Sequence, residues 1–132
     1  MAQSIFAITL VVPDYDSAIA FYVGSLGFDL IEDTAMGPNK RWVLVAPSGD
    51  GNTRLLLARA ADDVQAGSIG HQTGGRVGFF LHTDDFDADY ARMCAAGVDF
   101  EETPRAEAYG KVVVFQDPFG NRWDLLERIQ PV

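Results

Sequence analysis

One spaced set of residues occurs twice in this chain, 70 positions apart. Asp14, Ala18, Gly27 and Asp29 return as Asp84, Ala88, Gly97 and Asp99, in the spacing Asp-x3-Ala-x8-Gly-x-Asp. Each set follows an apolar, strand-like run, Ile5 to Val12 in the first half and Val77 to Leu81 in the second. Arg41 and Lys111 keep the same offset and each opens a further β-rich run, Trp42 to Val45 and Val112 to Phe115. A slip of one residue then aligns Gly51-Asn52 with Gly120-Asn121 and Arg59 with Arg128. Two half-domains that each bury one sheet face are expected to enclose a cavity, and any chemistry belongs there.

The 132 residues are long enough for one compact domain. Apolar residues at 48% and charged residues at 22% exclude a disordered chain. No apolar run approaches the ~20 residues of a membrane span. The N-terminus lacks the basic-then-apolar pattern of a signal peptide. The single cysteine, Cys94, leaves no internal disulfide and fits the cytoplasm. The formal net charge of −9 repels phosphate backbones, which argues against nucleic acid as a partner. The same acidity serves solubility and favours a cationic ligand over an anionic one.

The local signals give the order βαβββ in each half. Ile5 to Val12 reads as a buried strand. Pro13-Asp14 ends it, and Asp14 or Asp16 caps a helix carrying Ala18, Phe21, Tyr22 and Leu26 at helical spacing, stopped by Gly27. Strands follow at Phe28 to Ile31, Arg41 to Ala46 and Arg54 to Ala58, with turns at 36–39 and 47–52. From Ala60 to Gly75 a Gly-rich connector reads as a flexible linker. The glycines of a phosphate loop would stand between a strand and a helix, and these stand between two strands. In the second half a strand at Val77 to His82 leads into a helix over Asp85 to Ala96, then strands at Val98 to Glu101, Lys111 to Gln116 and Asn121 to Glu127. Asp117-Pro-Phe-Gly120 is the hairpin turn joining the last two.

Paired βαβββ modules with Ala-x2-Phe-Tyr-x3-Leu-Gly-Phe (Ala18 to Phe28) and Asp-Pro-x-Gly-Asn (Asp117 to Asn121) resemble the vicinal oxygen chelate superfamily. That group includes glyoxalase I, extradiol dioxygenases, fosfomycin-modifying enzymes and bleomycin-resistance proteins. The resemblance covers essentially the whole chain. It implies an α+β fold of two tandem modules, about 4–60 and 76–129, forming an open, barrel-like sheet around a cavity, usually in a homodimer. It also implies a divalent metal held by His, Glu or Gln from the first and last strands of each half. Carried over, those positions fall on Ala7, on Leu55 or Leu56 according to where the slip is placed, on Gly78 (or Arg76 in a register moved by two), and on Asp124. Only Asp124 offers a lone pair suited to a cation, and a catalytic metal generally needs three protein ligands. The expectation is therefore no metal or other cofactor, with a divalent metal as the alternative. His82, Asp124 and His71 from the connector are the residues that would hold a relocated ion.

Strand alternation supplies the remaining candidates. Starting from the ligand positions, alternation brings Thr9 and Val11 to the face of Ala7, Phe80 and His82 to that of Gly78, and Arg122 and Leu126 to that of Asp124, all on the expected pocket side. Thr9, Arg76, Phe80, His82, Arg122 and Asp124 make up the expected ligand wall, apolar with a few polar groups. The alternative for Arg122 and Asp124 is that they pair with each other. Trp42 and Trp123 fall on the opposite parity and are expected to pack against helices or across a dimer. Arg41 and Lys111 stand at strand entrances, open to an anion or to solvent. No nucleophile motif is present, and His82 as base with Asp124 as acid or orienter are the only catalytic candidates by position.

The leading reading is a protein that binds a small organic molecule in the cavity between the repeats, as in the bleomycin-resistance branch. The alternative is a lyase or dioxygenase of the glyoxalase type with a relocated metal. An inert dimerisation module is the third possibility.

Overall fold

The computed structural model describes residues 1–129. The chain divides into two compact units, Met1–Ile69 and Gly70–Val132, each an α+β module.

In the first unit, β1 (Ala7–Val12) is followed by α1 (Tyr15–Ile19), which runs on as a π-helical segment, Ala20–Ser25. Then come β2 (Asp29–Gly37), β3 (Lys40–Ala46), β4 (Arg54–Arg59) and a short helix α2 (Asp63–Ser68). The sheet order is β1-β4-β3-β2, with β1 parallel to β4 and the other pairs antiparallel. Asp14 is the residue that caps α1, accepting from the Ser17 N–H at 2.7 Å and from the Ser17 hydroxyl at 2.6 Å. Leu10, Val12, Val43, Val45 and Leu57 are completely buried, with Ala18 and Tyr22 of the helical segment. Ile5 and Phe6 precede β1 and are exposed, as is Ile8 within it, so the expected buried strand is buried only over its second half.

The second unit runs β5 (Phe79–His82), α3 (Phe86–Ala95), β6 (Asp99–Phe100), β7 (Arg105–Glu107), β8 (Gly110–Gln116) and β9 (Arg122–Arg128). Its order is β5-β9-β8-β6, with β7 also paired to β8 and β5 parallel to β9. Asp85 caps α3, while Thr83 accepts from the Asp85 N–H at 3.0 Å and donates to Asp89 Oδ2 at 2.6 Å. Trp123 is buried and stacks between Phe79 (centroids 4.6 Å apart) and Phe115 (5.8 Å), its neighbours on the adjoining strands of the same sheet rather than the helix or dimer partner expected for it.

The two units differ where the sequence reading drew them alike. The long edge strand β2 has a broken counterpart, β6 and β7, divided around Pro104, which has no N–H to donate. Across that break the Glu102 carboxylate takes the Val114 N–H at 3.0 Å in place of a ladder bond. The expected flexible linker contains α2, capped by Asp62 and by Gln65, whose Oε1 accepts from the Ala61 N–H at 2.8 Å.

The slip between the repeats is two residues rather than one. Seven residues, 47–53, join β3 to β4, whereas five, 117–121, join β8 to β9. Leu44 lies opposite Leu56, and Val114 opposite Asp124, so Leu56 is the counterpart of Asp124 and Leu55 is not. A one-residue change of register moves a side chain to the other face. Trp42 is accordingly on the face of Leu44, Leu56 and Thr9, and not on the helix-packing face expected for it.

Candidate functional site

Four of the six sequence candidates share the open face of the second sheet, the one turned away from Trp123 and Leu125. Phe80 is registered beside Asp124, His82 beside Leu126, and Gln116 beside Arg122. Phe80 and His82 are exposed, and Arg122 and Asp124 half-buried. Arg76 lies just outside this strand group, exposed, in a turn where the Thr73 hydroxyl donates to its carbonyl at 2.7 Å. Thr9 belongs to the first unit, exposed on β1 beside Leu56.

Arg122 is not Asp124's partner. Its guanidinium forks onto Glu101, Nε to Oε2 at 2.8 Å and Nη2 to Oε1 at 2.9 Å, and its Nη1 donates to the Gly75 carbonyl at 3.0 Å. Glu101 Oε2 also accepts from Gln116 Nε2 at 3.0 Å. The Arg122 hydrogen bonds hold the Glu101 carboxyl below the usual glutamate range, against a smaller opposing effect of burial. Asp124 is in the opposite condition. Its Oδ1 is buried and has no hydrogen-bond partner among the described residues. Burial pushes its carboxyl above the usual aspartate range, Glu102 adds to that, and the charges of Arg105 and Arg122 offset part of it.

The first unit contains a cavity of about 590 Å³ whose lining includes Tyr15, Trp42, Leu56 and Leu57 with Lys40 and Arg59. Arg41, at the strand entrance beside it, is consumed locally. It binds Asp33 through Nε (3.0 Å) and Nη2 (2.6 Å), binds Asp16 through Nη1 (2.9 Å), and lies over the Tyr15 ring at 5.2 Å. Lys111 at the equivalent entrance pairs with Asp87 at 3.2 Å. Neither entrance cation is simply solvated. Sequence reasoning missed this cavity because it placed Trp42 on the wrong face.

The donor set does not fit the metal site that the resemblance implies. By register the four wall positions are Ala7, Leu56, Gly78 and Asp124, and three of these have no donor side chain. Among the described residues no three His, Cys, Asp or Glu side chains come together in a way that could hold an ion.

A family model, described as Glyoxalase/Bleomycin resistance protein/Dioxygenase superfamily, matches residues 4–125. The chain belongs to this superfamily. A superfamily-wide likeness is also visible in individual proteins. An uncharacterized protein of Shewanella frigidimarina (strain NCIMB 400) is 55% identical over 128 residues, covering 96% of this chain and 95% of that one. The crystal structure of UcmS2 matches with a TM-score of 0.82 at 30% identity, covering 96% of this chain and 98% of that one. TnmS3, an antibiotic binding protein from Streptomyces sp. CB03234, matches with a TM-score of 0.72 at 33% identity, over 96% and 97% of the two chains. Superfamily membership fixes the fold and leaves the function to the residues of the site. Among the described residues no helix is long and apolar enough to cross a membrane.

Proposed function

We propose that this chain binds a small organic molecule of antibiotic size on the open face of its second sheet, without the divalent metal of the superfamily's enzymes. The observation that carries the reading is Asp124. A buried carboxylate oxygen with no partner costs on the order of 1–3 kcal/mol, and a ligand N–H, hydroxyl or ammonium would remove that cost. Phe80 beside it offers an exposed ring for an apolar portion of the ligand, and the fixed Arg122–Glu101 fork gives the wall a rigid polar edge. The antibiotic-binding relative TnmS3 supports this ligand class.

The binding unit is a homodimer in the cytoplasm. Leu30, Ile31 and Met36 are exposed on β2, an edge strand of its sheet, and give a second copy an apolar surface to cover. The lone free thiol, Cys94, suits a reducing compartment.

Thermal denaturation against a panel of antibiotics, run with and without a chelator, tests the reading. A ligand at 100 times its Kd adds about 2.7 kcal/mol to stability. The expected result is a stabilising compound whose effect survives the chelator and is lost in Asp124→Ala. Stabilisation that requires Ni, Zn or Mn would overturn the reading in favour of a lyase or dioxygenase with a relocated metal.

A further inference from the structure

We infer that the first unit carries a binding site for a flat aromatic anion, such as an aryl carboxylate or sulfonate, in the cavity between the ends of β3 and β4. The cavity comes from a difference between the two repeats. In the second unit, β8 and β9 are zipped over seven pairs, from Gln116↔Arg122 to Gly110↔Arg128. In the first unit, β3 and β4 pair only at Val43↔Leu57, Leu44↔Leu56 and Val45↔Leu55. Beyond Trp42 and Ala58 the strands part, and about 590 Å³ opens where the other repeat is closed. That volume is within the range of small-molecule sites, roughly 300–1,000 Å³.

The walls select the ligand. Trp42, Tyr15, Leu56 and Leu57 give the lining aromatic and aliphatic area suited to a planar apolar body. Three cations line the space and no carboxylate does. Arg41 is already neutralised by Asp33 and Asp16. Lys40 and Arg59 have no ion-pair partner within 4.0 Å among the described residues, although Asp14 feels the Arg59 charge from a distance. Two uncompensated cations beside an aromatic lining favour an anion, against the overall sign of a chain at −9. Lys40 occupies the strand position that Gly110 fills in the second unit, 70 residues on, so the charge is specific to the open repeat.

Two dyes that differ by one sulfonate provide the test: anilinonaphthalene sulfonate and its neutral parent, phenylnaphthylamine. In Trp123→Phe, Trp42 is the one remaining tryptophan, and its emission reports on the cavity. The sulfonate dye should quench Trp42 at one dye per chain. Its Kd should weaken at least about tenfold in Lys40→Ala/Arg59→Ala, stay unchanged in Asp124→Ala, and weaken with added salt. The neutral dye should be indifferent to the double substitution. Trp42→Ala, with Trp123 kept, should weaken the Kd of the sulfonate dye as read from the dye's own fluorescence, which serves as the control if Trp123→Phe folds poorly. Equal affinity in the double variant, equal affinity for the two dyes, or no quench would overturn the assignment. A weaker Kd in Asp124→Ala would place the dye on the second sheet and overturn it too. Asp124→Ala and Lys40→Ala/Arg59→Ala therefore distinguish failure of this assignment from failure of the reading under Proposed function.

Discussion

Arg122 and Glu101 form a two-bond fork, at 2.8 and 2.9 Å, that joins β9 to the residue just after β6 and leaves Asp124, two positions along β9, without a partner cation. The pair sits at a partly exposed surface, where such forks contribute about 0.2–1 kcal/mol. Glu101→Ala should therefore lower stability by less than about 1 kcal/mol. It should also free the Arg122 guanidinium to turn towards Asp124, drawing the Asp124 carboxyl titration, followed by NMR, to lower pH. An unmoved Asp124 midpoint would mean the fork does not govern the site. Glu101 itself has a depressed folded value. Its contribution is present above the ordinary glutamate range and is lost as pH falls through the depressed value.

Asp124 has the reverse sign. Its folded value is raised, so the folded state holds the proton more tightly than the unfolded state. The associated stability is full below the ordinary aspartate range and disappears as pH rises through the folded value. Asp124→Asn, which cannot ionise, should be more stable than the native chain at about pH 7, by on the order of 1 kcal/mol. At about pH 3 the advantage should be absent. Urea denaturation at the two pH values measures this, and a constant difference between them would contradict it.

Asp117 organises the turn that sets the register of β9. Its Oδ1 accepts from the Phe119 and Asn121 N–H groups, both at 2.9 Å, and its Oδ2 from Asn121 Nδ2 at 2.7 Å. The side chain is 3% exposed, so water cannot replace these bonds freely. Asp117→Ala should cost about 2–4 kcal/mol, read as a fall in Tm. It should also weaken ligand binding on the second sheet through lost register.

The repeat and most strands were legible because β-branched runs, helix-stopping glycines and the Asp-Pro-x-Gly-Asn turn are local signals. The missed elements depended on something else. β7 has three residues and exists because β8 offers an edge beyond Pro104. The α2 helix was hidden among glycines, although Asp62 and Gln65, three apart, are a capping-box signal that could have found it. The face of Trp42 depended on a turn longer by two residues in one repeat, and single-residue alternation turns a slip error into the wrong face. That Phe80, His82, Arg122 and Asp124 share a face followed from alternation. That Arg122 pairs with Glu101, 21 residues away, did not, because spacing cannot choose among the 19 acidic residues.

Two glycines at equivalent hairpins give a test of how closely the second sheet is closed. Gly37 (φ +148°) and Gly110 (φ +144°) have nearly the same backbone, unfavourable for any residue with a Cβ. A Cβ at Gly37 would meet open space, whereas one at Gly110 would collide with the Glu127 carbonyl on β9. Gly37→Ala should thus cost only the backbone strain, about 1–2 kcal/mol. Gly110→Ala adds a clash with backbone that cannot rotate away, and should cost about 3 kcal/mol or more. Chemical denaturation of the two variants side by side gives the comparison. Equal losses would mean that β8 and β9 can part at this end as β3 and β4 do, and the contrast between the closed and the open repeat would then be lost.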